Sequence, residues 1–167
     1  MNIKIVSYKK EDKKTLRELI IKLRQFEVDI DTWNFFKLDK EYKEKAIEKL
    51  LKNIKEKEGK IYLAKSDNKI VGFVAGYIVP DKDNFELYSW KRGYVFELYV
   101  DDKYRGQRIG KKLLEKIEEY FKIKKCDFFG LNVLTANTGA MGFYEKQGLE
   151  NRDLFMSKAL NKKVKKS

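Results

Sequence analysis

A strand that runs directly into a turn and a helix is the feature that most constrains this chain. Residues 93–100, Gly-Tyr-Val-Phe-Glu-Leu-Tyr-Val, form a nearly unbroken apolar and aromatic run, as expected of a strand covered on both faces. Residues 101–104 turn the chain, and Arg105 to Gly110 open an amphipathic helix. The first N–H groups of a helix have no partner within it, and the helix dipole makes that end positive. Strand, turn and helix start therefore build an anion site, with Gly106 and Gly110 allowing a phosphate close to the main chain. The spacing is neither the G-x-G-x-x-G of dinucleotide folds nor a P-loop ending in Gly-Lys-Ser/Thr.

The 167 residues are expected to form one domain, residues 1–160, followed by a basic tail at 161–167. The 43% hydrophobic content, with 11 Phe and 10 Tyr, supplies ample material for a core. No run approaches a membrane span, and residues 1–10 read as a strand rather than a signal peptide. Cys126 is the only cysteine, which excludes an internal disulfide and favours a cytoplasmic home. The chain has no histidine to activate it, so Cys126 reads as a small hydrophobe, and no metal site is expected. The net charge of +12 invites a nucleic-acid partner, but 32 of the 38 basic residues are Lys scattered among acids. Specific nucleic-acid binding is thereby disfavoured.

Periodicity predicts the remaining elements. A first strand covers Ile3, Ile5 and Tyr8, and a helix at 12–26 carries Leu16, Leu19, Ile20, Leu23 and Phe26 on one side. A polar and aromatic connector follows at 27–38, then a helix at 40–57 capped by Asp39 and ended by Gly59. Strands at 60–66 and 69–79 are joined by Asp67-Asn68, a two-residue hairpin signal. A loop runs from Pro80 to Arg92, before a strand at 94–101 and a helix at 107–122. A strand at 128–134, a helix at 137–147 ending at Gly148, and a last strand at 153–160 complete the order. This β-α-α-β-β-β-α-β-α-β order is mixed rather than alternating, which argues against a doubly wound fold.

Arg105-x-x-x-x-Gly110 resembles the acyl-CoA pyrophosphate loop of the GCN5-related N-acetyltransferase (GNAT) family, with Arg108 standing where that loop usually has its middle glycine. A second segment, 137–149, is similar to the family's Asn-x-x-Ala-x-x-Phe/Leu-Tyr-x-x-x-Gly-Phe, with Asn137, Ala140, Phe143, Tyr144 and Gly148 in register and Leu149 in place of the last Phe. The resemblance covers nearly the whole chain. It implies a mixed α/β (α+β) fold: a mostly antiparallel sheet of about six to seven strands flanked by about four helices. It also implies acetyl-CoA as cosubstrate, held by Arg105, Gly106, Gln107, Arg108, Ile109, Gly110 and Lys111, by the backbone of Leu98, Tyr99 and Val100, and by Asn137 and Tyr144.

Two residues carry candidate chemistry. By resemblance the Tyr144 hydroxyl lies near the sulfur and protonates the leaving thiolate, a transfer from a phenol of ordinary pKa ~10 to a thiolate of ~8.5. Glu97 is the only charge in an apolar strand, where lost hydration raises its pKa toward that of a general base. A buried ion pair with a nearby Lys reads the same residue equally well. The connector places Glu27, Asp29 and Asp31 beside Trp33, Phe35 and Phe36. Acids with aromatics suit a cationic amine, so Glu27, Asp29 and Trp33 are candidate acceptor contacts, although a solvated loop pinned by aromatics explains them as well. Tyr88 and Trp90 in the 80–92 loop are candidates for the opposite wall.

These residues point to an acetyl-CoA-dependent N-acetyltransferase that acts on a primary amine by direct attack in a ternary complex. The acceptor is a small amine of polyamine or aminoglycoside type or, alternatively, a protein N-terminus or lysine. A CoA-binding module without catalysis is the rival class. A homodimer is compatible with the reading, and neither a membrane nor a specific nucleic acid is an expected partner.

Overall fold

The computed structural model describes residues 2–79 and 89–164. Five strands lie in the order β1 (Ile3–Ser7), β2 (Lys60–Ser66), β3 (Lys69–Val79), β4 (Arg92–Val100) and β5 (Phe128–Gly130). All neighbours are antiparallel except β4 and β5, which run parallel. Asp67 and Asn68 both adopt positive φ, +46° and +68°, which closes the β2–β3 hairpin as their dipeptide predicts.

Helices α1 (Lys13–Ile30) and α2 (Lys40–Glu56) cover one face of the sheet. They bury Leu16, Leu19, Ile20, Ile47 and Leu50 against Leu63, Phe73 and Tyr99. Asp39 caps α2, its carboxylate accepting from Tyr42 N–H at 2.8 Å. Helix α3 (Ile109–Ile123) covers the other face, burying Leu113, Leu114, Ile117 and Phe121 against Val74, Val95 and Val100. The short α4 (Thr138–Lys146) follows β5.

Phe121 fills the space left by two glycines. A Cβ on Gly93 would meet its ring at 2.6 Å and one on Gly76 at 2.8 Å, so helix and sheet approach closely where β4 begins.

Two departures from the sequence reading position the site. Helix α1 runs four residues past Phe26 and brings Glu27 onto the helix rather than into the connector. Asp31 then terminates it, its carboxylate accepting from the N–H groups of Trp33, Phe35 and Phe36 at 2.9, 2.6 and 3.1 Å. The second departure is the last strand. Residues 151–160 form none, and Leu154, Phe155, Met156 and Leu160 are largely exposed. A strand needs a ladder partner, and β5 offers only three residues before the chain leaves the sheet. The sheet thus has five strands among the described residues rather than six to seven. Part of the tail, residues 165–167, lies outside the described residues, as does Tyr88.

Candidate functional site

The site originates where β4 and β5 part. Their ladder joins only Arg92, Gly93 and Tyr94 to Phe128, Phe129 and Gly130. Beyond it, residues 95–100 and 131–134 form the two sides of a cleft of about 830 Å³, floored by α3 and α4 and bounded by Leu23, Phe26 and Glu27 of α1.

A register shift gives β4 its local geometry. Ala75 faces Glu97 while Gly76 faces Val95, which leaves Phe96 as an extra residue without a partner on β3. The open edge then begins. Asp101 N–H donates to Val71 C=O at 2.9 Å, and 71–101 continues the register in which Phe73 faces Tyr99 and Ala75 faces Glu97. Antiparallel ladders alternate, so Tyr99 directs its backbone groups to β3, and Leu98 and Val100 direct theirs to the cleft. Val100 C=O is taken by Arg105 Nε at 3.2 Å. Of the three backbone positions expected to hold the cosubstrate, Leu98 and the Val100 N–H have the required direction, and Tyr99 does not.

The turn after β4 is firmly held. Asp101 pairs with Lys22 of α1 at 2.7 Å, and Arg105 pairs with Asp102 at 2.6 Å beneath the Phe26 ring, 5.5 Å away. Arg105 therefore braces the loop from its own side. Gly106 takes φ +76° and Arg108 φ +60°, so the position where the resembling loop usually has glycine is a left-handed one. No carbonyl or side chain among the described residues accepts from the N–H groups of residues 106–111. Arg108 and Lys111 add exposed cations beside these donors. A Cβ on Gly106 would meet nothing within 4 Å. Gly110 is different, since its open side faces Phe143 at 3.4 Å and serves the contact between α3 and α4.

Free N–H donors, two cations and an empty approach at Gly106 fit a pyrophosphate. The open edge at Leu98 fits an amide-bearing arm, which can pair with it as another strand would. The residues present therefore fit acetyl-CoA. Asn137 borders the same cleft, and its carboxamide oxygen caps α4 by accepting from Ala140 N–H at 3.1 Å.

Glu27, Glu97 and Tyr144 all border this cleft. Glu97 Oε2 is shielded from solvent and has no hydrogen-bond partner among the described residues. Burial first, and then the charge of Glu27, push its carboxyl from an ordinary 4.5 up to about 8, against a smaller opposing pull from Arg24 and Lys49. Among the described residues no Lys or Arg stands within 4 Å of the Glu97 carboxyl, although the charges of Arg24 and Lys49 act on it. Burial likewise raises the Glu27 carboxyl, with Arg24 opposing. Tyr144 packs on Phe143, centroids 5.1 Å apart, and burial pushes its phenol up to about 12.

Asp29 and Trp33 are not brought to this place. Asp29 is exposed and accepts from Gln25 at 2.7 Å, and neither residue borders the cleft. Trp90 is 54% exposed. Leu131 to Leu134 border the cleft without any motif in the sequence to mark them.

The acetyltransferase (GNAT) family profile matches residues 23–149, from the middle of α1 to the residue after Gly148. The chain belongs to this family. Its members use acetyl-CoA as acyl donor. A stretch of 94 residues, 56% of this chain, is 32% identical to an uncharacterized N-acetyltransferase of Methanocaldococcus jannaschii and covers 54% of it. A stretch of 82 residues, 49% of this chain, is 30% identical to mouse thialysine N-epsilon-acetyltransferase and covers 45% of it. The matched part thus spans about half the length of these curated relatives. The crystal structure of a Bacillus halodurans protein has the same fold, with a TM-score of 0.78 at 22% identity over 95% of this chain and 99% of that one. No helix among the described residues is long and apolar enough to cross a membrane.

Proposed function

We propose that this GNAT-family chain is an acetyl-CoA-dependent N-acetyltransferase whose acceptor is a primary amine, with direct transfer inside the cleft. The observation that carries the reading is the Glu97 carboxylate oxygen, buried without a partner in the same cleft as the free N–H groups of the α3 start. Such an orphan is costly in a merely structural role, and it suits a group that receives a proton during turnover.

Bound acetyl-CoA would supply the acyl thioester. Residues 106–111, with Arg108 and Lys111, would hold its phosphates, and the Leu98 edge would align its arm. The Leu98 N–H, fixed by the strand, is placed to polarise a carbonyl lying along that edge. An alkyl amine of pKa ~10.4 arrives mostly protonated, so a base is required. Glu97 serves as that base, accepting the proton at Oε2 directly or through a water molecule. Glu27, on the cleft wall beside it, attracts the cationic amine. Tyr144 stays a phenol at any physiological pH and donates its proton toward the departing sulfur. The apolar surroundings that raise the phenol also raise a thiol placed there, which keeps the two groups within reach of one another.

The Glu27 carboxylate on the cleft wall favours a cationic small amine over a neutral acceptor, and the mouse relative is named for an ε-amine acceptor. Release of the CoA thiol should be followed over a panel of polyamines, aminoglycosides, lysine analogues and peptides. Turnover with any amine that disappears in Glu97→Gln supports the reading. Absence of turnover across the panel, with intact acetyl-CoA binding, would favour a binding module instead.

A further inference from the structure

Arg24 has no place in the reading so far, yet it sits in the least ordinary surroundings of any cation in the described chain. It projects from α1 one turn before Glu27. Its guanidinium lies 4.5 Å from the Phe36 ring centre and 4.6 Å from that of Tyr42, enclosed between the connector and α2. Nε stands 3.3 Å from Glu27 Oε2, an ion pair in which only about a fifth of the Arg24 side chain and a quarter of Glu27 remain exposed. The same Nε makes no hydrogen bond among the described residues. Both unsatisfied buried side-chain atoms among the described residues, Arg24 Nε and Glu97 Oε2, therefore belong to one cluster.

The groups that face Glu97 are few. Glu27 and Arg24 approach from α1, and Lys49 and Tyr42 from α2. Two carboxylates and one enclosed guanidinium leave one negative charge without a close partner when both acids are ionised. The Coulomb energy of a pair falls with separation, so a cation held against Glu27 stabilises that charge most. Glu97, farther from the cation and more deeply shielded, then carries the labile proton.

We propose that Arg24 is a positioning residue, clamped by Phe36 and Tyr42 so that it keeps Glu27 ionised and leaves Glu97 as the one carboxylate that exchanges its proton with the acceptor amine. This rests on the acetyltransferase reading for its purpose, but the division of charge is a property of the cluster alone. The planar guanidinium matters, because it stacks on two rings while facing a carboxylate, which an ammonium does less well.

The test is a carbon-13 titration of the glutamate carboxyls in the full chain, with Glu97 assigned by its loss in Glu97→Gln. Arg24→Gln should move the Glu97 titration up by about 1 pH unit or more, and Glu27→Gln should move it down by a similar amount. Arg24→Lys should lie between wild type and Arg24→Gln. If the wild-type chain turns over an amine, the acidic limb of its rate profile should follow the same three displacements. Glu97 titrating at the same pH in Arg24→Gln and Glu27→Gln would overturn the proposal, and Glu27→Gln, which changes neither size nor packing, decides the matter if Arg24→Gln does not fold. Displaced titrations without turnover on any amine would instead remove the acetyltransferase reading and leave the cluster standing.

Discussion

Glu27 of α1 and Glu97 of β4 border the same cleft, and the negative charge of Glu27 adds to burial in holding the Glu97 carboxyl near 8. A base with that affinity is roughly one-tenth ionised at pH 7. We expect kcat/KM to climb tenfold per unit up to about pH 8 and then level off. A rate profile flat between pH 6 and 8 would remove Glu97 from the proton path.

The same residue makes a prediction about stability. The folded chain holds the Glu97 proton more tightly than the unfolded chain, whose value is near 4.5. The linked stability is therefore fully present below about pH 4.5 and is lost as pH rises through about 8. Glu97→Gln removes this dependence. Its unfolding free energy relative to wild type should rise from pH 5 to about pH 8 and level off above it, a gain on the order of 5 kcal/mol, read as a growing advantage in melting temperature. An ion-paired Glu97 would instead give a loss in the variant that is the same across this whole range and shrinks only in acid.

Tyr144→Phe deletes one oxygen and keeps the ring packed on Phe143. Turnover should fall by about 10²-fold, the low end for a general acid because a thiolate leaves readily. The acetyl-CoA dissociation constant, measured by calorimetry, should stay within about twofold. Equal turnover in the two proteins would make Tyr144 a packing residue.

The sequence carried its strongest signals where local chemistry dictates local structure. Asp67-Asn68 announced the hairpin, Asp39 the cap of α2, and apolar spacing the inner face of α3. The anion turn was visible in the same way, since a strand, a glycine and a helix start are all local. Three things were not visible, and each depends on distant pairing. The register shift at Phe96 comes from the fit of β3 on β4 and leaves no residue-type signature. Arg24 looks like any other polar position on an amphipathic helix until Phe36 and Tyr42 fold over it. Residues 153–160 carry the apolar cluster Leu154, Phe155 and Met156, but apolar residues alone cannot supply the neighbour a strand requires, and β5 is too short to be one.

Gly93 is a packing test of the parted strands. An added methyl would overlap the Phe121 ring at 2.6–2.7 Å, a distance that forces the ring or the strand to move. Gly93→Ala should cost about 1–3 kcal/mol in denaturant unfolding, as overpacking commonly does. Because Gly93 lies in the short parallel ladder from which the cleft opens, acetyl-CoA affinity should drop with it. An Ala variant of wild-type stability would mean that helix α3 sits farther from the sheet.

Arg108 sets conformation against binding at a single position. Its φ of +60° and ψ of +16° put a Cβ-bearing residue in the left-handed region. That geometry costs an L-residue about 1 kcal/mol and costs glycine little. Arg108→Gly relieves the strain and at the same time removes a cation from beside the free N–H groups of residues 106–111. The variant should melt higher than wild type yet bind CoA several-fold more weakly, with the deficit shrinking as salt screens the lost charge. Arg108→Ala separates the two effects, since it loses the charge and keeps the strain, so it should match the glycine variant in affinity and fall short of it in melting temperature. Unchanged CoA affinity in both variants would place the phosphates elsewhere and leave Arg108 as a strained residue without a ligand to justify it.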